Sequence, residues 1–118
     1  MDTHVPVTFA DYLRVPYVVR SRAVRDDDGR WACRVEHPEL PGCSATAHTL
    51  AEAIDELDRR RVRMVLELLR GGRRPPLPRA PIPGSHPGEE LERLGLAELV
   101  PLVDLDAGAL NRPRGTTA

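Results

Sequence analysis

The feature that most limits how this chain can fold is a long amphipathic segment near its centre. Its apolar residues recur with a helical period and fall on one stripe, which comprises Leu50, Ala53, Ile54, Leu57, Met64, Val65 and Leu68. Thr49 followed by Glu52 has the pattern of a capping box, and Gly71-Gly72 is a typical helix end. The sequence therefore predicts one long helix that begins after Thr49. Arg61 lies inside the stripe, so it needs either a partner or a route past the edge of the adjoining layer.

A predicted β-hairpin precedes this helix. Residues 17–25 alternate weakly between two faces, residues 30–37 alternate clearly, and the Asp-Asp-Asp-Gly sequence between them is typical of a turn. In the second strand Trp31, Cys33 and Val35 share one face, which we expect to pack on the helix. Cys43 to Ala47 fits a short third strand. The expected fold class is α+β, with a small antiparallel three-stranded sheet packed on one long α-helix.

Weaker signals flank this unit. Thr8 is a suitable cap for one helical turn that ends at Leu13, and residues 89–100 have helical character interrupted at Gly95. Residues 100–105 are compatible with a strand.

The chain divides at its proline-rich segment. Six prolines lie between Pro75 and Pro87, a composition typical of an extended linker or strap. We therefore predict a domain at residues 8–79. Residues 80–118 are predicted to form the proline-rich linker and a short acidic C-terminal extension, disordered from Asn111 onward.

A second apolar patch lies beside the main stripe of the helix. It consists of Val62, Leu66 and Leu69, and a three-stranded sheet is too small to cover both surfaces. Either a second subunit or the C-terminal extension must cover the patch. We predict a homo-oligomer with these three residues at its interface.

Charge is unevenly distributed along the chain. The formal net charge is −1, yet residues 59–79 contain eight arginines and one acidic residue, Glu67. Glutamates on the same helix face pair with several of these arginines. The arginines with fewer acidic neighbours are possible nucleic-acid contacts, namely Arg70, Arg73, Arg74 and Arg79.

Composition also restricts the cellular setting. The two cysteines, Cys33 and Cys43, cannot form a disulfide framework, and no apolar run approaches the length of a membrane span. We expect a cytoplasmic protein with reduced thiols and no membrane association.

Three constellations were considered for catalysis or metal binding. Zinc-ligand types occur at Cys33, His37, Cys43 and His48, but the spacing lacks a paired knuckle. Cys43 with a neighbouring histidine has no third orienting group, and the three aspartates lie in a turn where they bond the backbone. We therefore expect no enzyme activity, no metal and no cofactor.

Several residue strings resemble those of one protein family. They are Asp11-Tyr12-Leu13-Arg14-Val15-Pro16-Tyr17 before the first strand, Pro38-Glu39-Leu40-Pro41-Gly42-Cys43 after the hairpin, and Thr49-Leu50-Ala51-Glu52-Ala53 at the helix start. Together with Gly-Gly and Pro-Pro-Leu-Pro after the helix, they resemble the HicB-like family of type II antitoxins. The similarity extends from Asp11 to Arg79.

The resemblance implies a partial RNase-H-like fold and a partner. Members of the family bind a small toxin, HicA, which cuts mRNA, and they cover its active site. Many of them oligomerise and carry a helix-turn-helix or ribbon-helix-helix domain for operator binding. Residues 88–118 match neither pattern, so DNA binding is not expected here. The alternative is a stand-alone HicB-like domain that binds RNA or another ligand without a toxin.

The rigid loop between sheet and helix is the predicted toxin contact. The contact would comprise Glu36, Glu39, Leu40, Pro41 and Gly42, because acidic and apolar groups in a rigid loop can block a basic RNA-binding surface. Acids of residues 89–106 would extend it. A competing interpretation is that the loop only sets the sheet-to-helix crossing and that Leu40 fills the core.

Overall fold

The predicted long helix is present, and a three-stranded antiparallel sheet packs against it. The computed structural model describes residues 6–111, so the predicted disorder falls almost entirely outside the described part of the chain. The elements in chain order are α1 (Phe9–Leu13), β1 (Arg20–Arg25), β2 (Trp31–Glu36), β3 (Ser44–Ala47), α2 (Leu50–Arg70), α3 (Pro87–Arg93), a 3₁₀ helix (Ala97–Leu102) and α4 (Ala107–Leu110). The α+β fold class is confirmed.

Side-chain caps fix where α2 begins. The Thr49 hydroxyl accepts from the Glu52 backbone N–H at 3.1 Å and donates to the Glu52 carboxylate at 2.8 Å. At the other end Gly72 takes a left-handed φ of 74°, and its N–H donates to the Leu69 carbonyl at 3.0 Å. Each end therefore satisfies groups that a helix otherwise leaves without partners.

The sheet has the order β1-β2-β3, and both pairs are antiparallel. Helix α2 packs on β2 and β3 through the face that carries Val35 and Ala45. Trp31 shares this face by alternation, but its side chain is 61% exposed and stacks under the Arg25 guanidinium, 4.1 Å from the ring centroid. The prediction that Trp31 packs on the helix is wrong, because the residue pairs with Arg25 at the turn end of the hairpin.

Two separate apolar cores lie on different sides of α2. The sheet-side core contains Val15, Tyr17, Val35, Leu40, Cys43, Ala45, Ala53 and Leu57. The tail-side core contains Phe9, Tyr12, Val62, Val65, Leu66, Leu69, Leu91, Leu94, Leu96 and Leu110.

The tail-side core corrects the predicted oligomer interface. Val62, Leu66 and Leu69 are only 2%, 4% and 3% exposed, because α1 and residues 91–110 cover them. They are not available to a second subunit, so their assignment to an interface is wrong. The other alternative, coverage by the C-terminal extension, is what the structure shows.

Residues 100–105 also differ from the prediction. They continue a 3₁₀ helix into turns and form no strand, while the predicted break at Gly95 occurs with a φ of 78°. The carbonyls of Leu105 and Val103 instead accept from the N–H groups of Phe9 and Ala10, at 3.0 and 2.8 Å. The start of α1 therefore supplies the donors that a neighbouring strand would have supplied.

No helix within residues 6–111 combines the length and the apolar character that crossing a bilayer requires.

Candidate partner-binding site

The loop from His37 to Cys43, here called the junction loop, joins β2 to β3 just before α2. Three backbone hydrogen bonds of 3.0 Å hold it: His37 N–H to the Cys43 carbonyl, Leu40 N–H to the His37 carbonyl, and Cys43 N–H to the Leu40 carbonyl. Gly42 has a φ of 88°, which an L side chain rarely adopts. The loop is therefore fixed in one conformation before any partner arrives.

The side chain of Leu40 anchors this loop from below. It is 1% exposed and belongs to the sheet-side core, so its predicted contact with a partner is wrong. The competing interpretation, that Leu40 fills the core, is the one the structure supports. Pro38, Pro41 and Gly42 are exposed, and they form the accessible ridge of the loop.

A buried histidine ties the loop to β1 and to α2. The His37 side chain is held at Nδ1 by the Val18 carbonyl, at 2.9 Å, and Nε2 lies 3.3 Å from Arg61 Nη1. A guanidinium only donates, so Nε2 accepts and Nδ1 carries the hydrogen of a neutral ring. Burial lowers the pKa of His37, although the bond to Val18 opposes this shift. Arg61 also reaches Asp58 at 2.7 Å, which explains how an arginine is accommodated in the apolar stripe.

Glu39 is engaged within the chain. Its carboxylate accepts from both Arg79 terminal nitrogens, at 2.9 and 3.0 Å, and from the Val18 N–H at 2.8 Å. These bonds, led by the Arg79 pair, hold the pKa of Glu39 below its ordinary value. Glu39 and Arg79 therefore neutralise each other in this structure, and the predicted toxin contact of Glu39 and nucleic-acid contact of Arg79 stay predictions.

The Glu39–Arg79 pair is one of several contacts that fasten residues 75–86, the proline strap. Tyr17 donates its hydroxyl to the Pro76 carbonyl at 2.7 Å, and burial raises the pKa of Tyr17 to about 12. Ile82 donates its N–H to the Arg14 carbonyl at 2.9 Å. The strap is thus bound along the entry to β1 and beside the junction loop.

The remaining predicted arginines lie elsewhere. Arg70, Arg73 and Arg74 are exposed near the C-terminal end of α2, and the last two line a cleft of about 330 Å³ together with Asn111. This cleft adjoins the tail-side core and not the junction loop. Arg73 and Arg74 therefore line a different cleft from the junction loop, whereas Arg79 lies beside that loop.

The residues suited to metal or thiol chemistry have other environments in the structure. His48 lies 3.7 Å from Asp26, while Cys43 is 2% exposed and burial raises the pKa of its thiol. In the part of the chain that the structure describes, no three His, Cys, Asp or Glu side chains are grouped so as to hold a metal ion. Asp26 accepts from two backbone N–H groups of the hairpin turn, as expected for a structural aspartate.

One cluster was missed by the sequence interpretation. Arg20 and Arg22 of β1 and Arg34 of β2 share the sheet face turned away from α2, since Arg22 lies directly opposite Arg34 in the register. Glu36 belongs to the same face and lies 3.5 Å from Arg20. The alternation of the hairpin residues would have predicted this cluster, but the predicted nucleic-acid contacts were taken only from arginines at and after the end of α2.

Comparison with known proteins adds no assignment: no protein-family model, curated protein or solved structure matches this chain.

Proposed function

We propose that this chain is an antitoxin-like binding protein of the HicB type, acting in the cytoplasm, which neutralises a HicA-type mRNA-cleaving toxin by covering its active site. The observation that carries the proposal is the junction loop, whose residues resemble the loop motif of the family. Its backbone is fixed by three hydrogen bonds, and its exposed ridge of Pro38, Pro41 and Gly42 projects from a buried anchor. A loop ordered before binding loses little conformational entropy when it docks.

The charge distribution refines which residues make the contact. Glu39 is neutralised by Arg79 and Leu40 is buried, so neither supplies the attraction. Exposed acids of the C-terminal extension supply it instead, among them Glu89 and Glu92 on α3. They would face the basic surface with which an RNA-cleaving toxin holds phosphates. The proposal assigns no catalytic residue to this chain.

The test is an RNA-cleavage assay with the HicA-type toxin encoded beside this chain. Wild-type protein is expected to inhibit cleavage, and Pro41→Arg is expected to weaken inhibition about tenfold by placing a cation on the ridge. Arg70→Glu is the matched control, because it also changes an exposed charge but lies at the far end of α2. Inhibition lost in Arg70→Glu and kept in Pro41→Arg would contradict the proposal, as would a locus with no such toxin gene.

A further inference from the structure

We propose that the outer face of the sheet binds the phosphodiester backbone of single-stranded RNA, independently of any toxin. The face is a grid set by the strand register. In the upper row Arg20 lies opposite Glu36, and Glu36 lies opposite Ser44. In the lower row Arg22 lies opposite Arg34, and Arg34 lies opposite Thr46. Directly opposite residues in a sheet share a face, so three guanidinium groups and two hydroxyls converge there.

The lower row leaves positive charge without compensation. Arg22 and Arg34 are opposite each other, and side chains in such a pair have Cβ atoms about 5 Å apart. Like charges at that separation destabilise the pair unless an anion lies between or above them. In the described part of the chain, Glu36 is the acid of this grid, and Arg20 already pairs with it at 3.5 Å.

The hydrogen bonding of Arg34 is a second observation that indicates an incomplete site. Its Nη2 donates to the Ser44 hydroxyl at 3.3 Å, but its buried Nε has no hydrogen-bond partner among residues 6–111. A buried donor without a partner costs free energy that a bound acceptor would recover. Arg34, Arg20 and Ser44 also line a shallow cleft of about 200 Å³ that ends at the junction loop.

The chemistry of the face favours a polyanion held by charge over a protein partner. A stable protein interface needs an apolar or aromatic centre. In the three described strands, the apolar residues on this face are Val24 and Ala32, and Ala32 is only 4% exposed. The residues of this face belong to neither core, and Trp31 lies on the opposite face. Guanidinium forks match phosphate oxygens in pairs, and hydroxyls add neutral donors. With no aromatic platform on this face, binding is expected to depend little on base sequence.

The experiment is fluorescence anisotropy of a labelled single-stranded RNA of about 12 nucleotides with the full-length chain. Wild-type protein is expected to bind with a dissociation constant on the order of 10 μM at low salt. The two uncompensated arginines, Arg22 and Arg34, predict a slope of about −1.4 in a plot of log affinity against log salt concentration. Arg22→Glu is expected to weaken binding about tenfold and to reduce that slope by about 0.7.

Matched variants locate the site. Arg63→Glu makes the same charge change on the exposed side of α2 and is expected to leave affinity within about twofold. Arg22→Ala supplies a second measurement with less risk to the fold, and far-ultraviolet circular dichroism checks that each variant is folded. The proposal would be overturned if the Arg73→Glu/Arg74→Glu double variant lost RNA binding while Arg22→Glu kept the wild-type affinity. That result would place the RNA contact at the end of α2.

Two further outcomes also overturn it. One is the absence of RNA binding at low salt; the other is displacement of RNA by poly-glutamate at an equal concentration of charges, which would identify a surface for acidic proteins. None of these measurements contains a toxin. A failure here therefore leaves the proposed antitoxin function untouched, and a failed inhibition assay leaves this proposal untouched.

Discussion

The two cores on either side of α2 differ in the residues that build them and in the distance along the chain that they close. The sheet-side core joins residues 15–57 and includes small side chains such as Cys43, Ala45 and Ala53. The tail-side core is dominated by leucines, and it joins α1 and α2 to residues 91–110 across the proline strap. Small residues let α2 approach the sheet closely, whereas the leucines form a layer that exists only when the C-terminal extension is docked.

One helix can therefore carry two apolar surfaces that are buried by different parts of the chain. On the sheet side Ala53 and Leu57 of α2 are covered by the strands and the junction loop that precede them in the chain. Two residues of the predicted stripe are not covered in this way, because Val65 belongs to the tail-side core and Leu50 is exposed. The tail-side patch depends on a segment whose docking must overcome the entropy of ordering a long connection. The contacts of the strap with Tyr17 and Glu39 shorten the free connection that docking of the leucines has to close.

The largest expected effect follows from truncating the chain after Arg79. This removes four buried leucines of the tail-side core, each contributing roughly 1.5–3 kcal/mol. It also uncovers Val62, Leu66 and Leu69, so the shortened chain is expected to self-associate in light scattering. Adding Leu66→Glu to the truncated chain should restore the monomer. A truncated chain that stays monomeric with an unchanged free energy of unfolding would show that the tail-side core contributes little.

Replacing Phe9 with alanine tests the same core by a single side chain. Phe9 is 0% exposed and belongs to the tail-side core but not to the sheet-side core. Phe9→Ala is expected to lower the free energy of unfolding by about 3–5 kcal/mol in urea titration. The control is Val19→Ala, 46% exposed, for which a change within about 0.5 kcal/mol is expected. Similar effects of both changes would mean that the tail-side core is poorly packed.

The N-caps of α1 and α2 allow the starts of the two helices to be compared. The hydroxyls of Thr8 and Thr49 each accept from a backbone N–H three residues on, at 3.1 Å in both cases. Alanine at either position is expected to cost about 1 kcal/mol of unfolding free energy. A loss of well under half that value at Thr8 would indicate that α1 is held by its core contacts and not by its cap.

The smallest expected effect is a pH dependence from His37 on the sheet side. Burial lowers its folded pKa below the ordinary 6.5, so the unfolded chain takes up the proton first as the pH falls. The stability contributed by the neutral ring is complete above about pH 6.5 and declines below it, until the folded pKa is passed. The measurement is the free energy of unfolding between about pH 7 and 5.

The corresponding control is His37→Asn, which should flatten this profile whatever its overall stability. Glu39, Glu56 and Glu90 have pKa values lowered by arginine neighbours, so their contributions are lost only below about pH 4.5 and fall outside the window. An unchanged slope in His37→Asn would assign the pH dependence to other groups.

The helix ends, the turn and the strands on the sheet side were predicted well from short stretches of sequence. The cap at Thr49, the glycine end at Gly72, the turn before Arg30 and the three strands were all found within a few residues of their predicted limits. These features depend on hydrogen bonds and φ values within a few residues, which the sequence specifies directly. Trp31 was misplaced because alternation gives the face of a strand residue but not whether the helix reaches it.

The candidate site was predicted less completely. The junction loop was recognised from its prolines, Gly42 and family resemblance, but nothing local showed that Glu39 would pair with Arg79, forty residues away. The same holds for His37 and Arg61, which meet only because the loop folds over α2. Ion pairs between distant residues depend on the final packing, so charge counting along the sequence cannot assign them.

The α+β class, the limits of α2 and the restricted backbone of the junction loop could be predicted from the residues alone, because they follow from periodicity, capping and backbone restriction over short distances. What covers Val62, Leu66 and Leu69 could be learned only from the folded chain. The apolar patch needed burial in either case, and a second subunit and the chain's own leucines satisfy that need equally well. The choice depended on whether the strap could bring Leu91 to Leu110 back to α2, which is a matter of three-dimensional geometry.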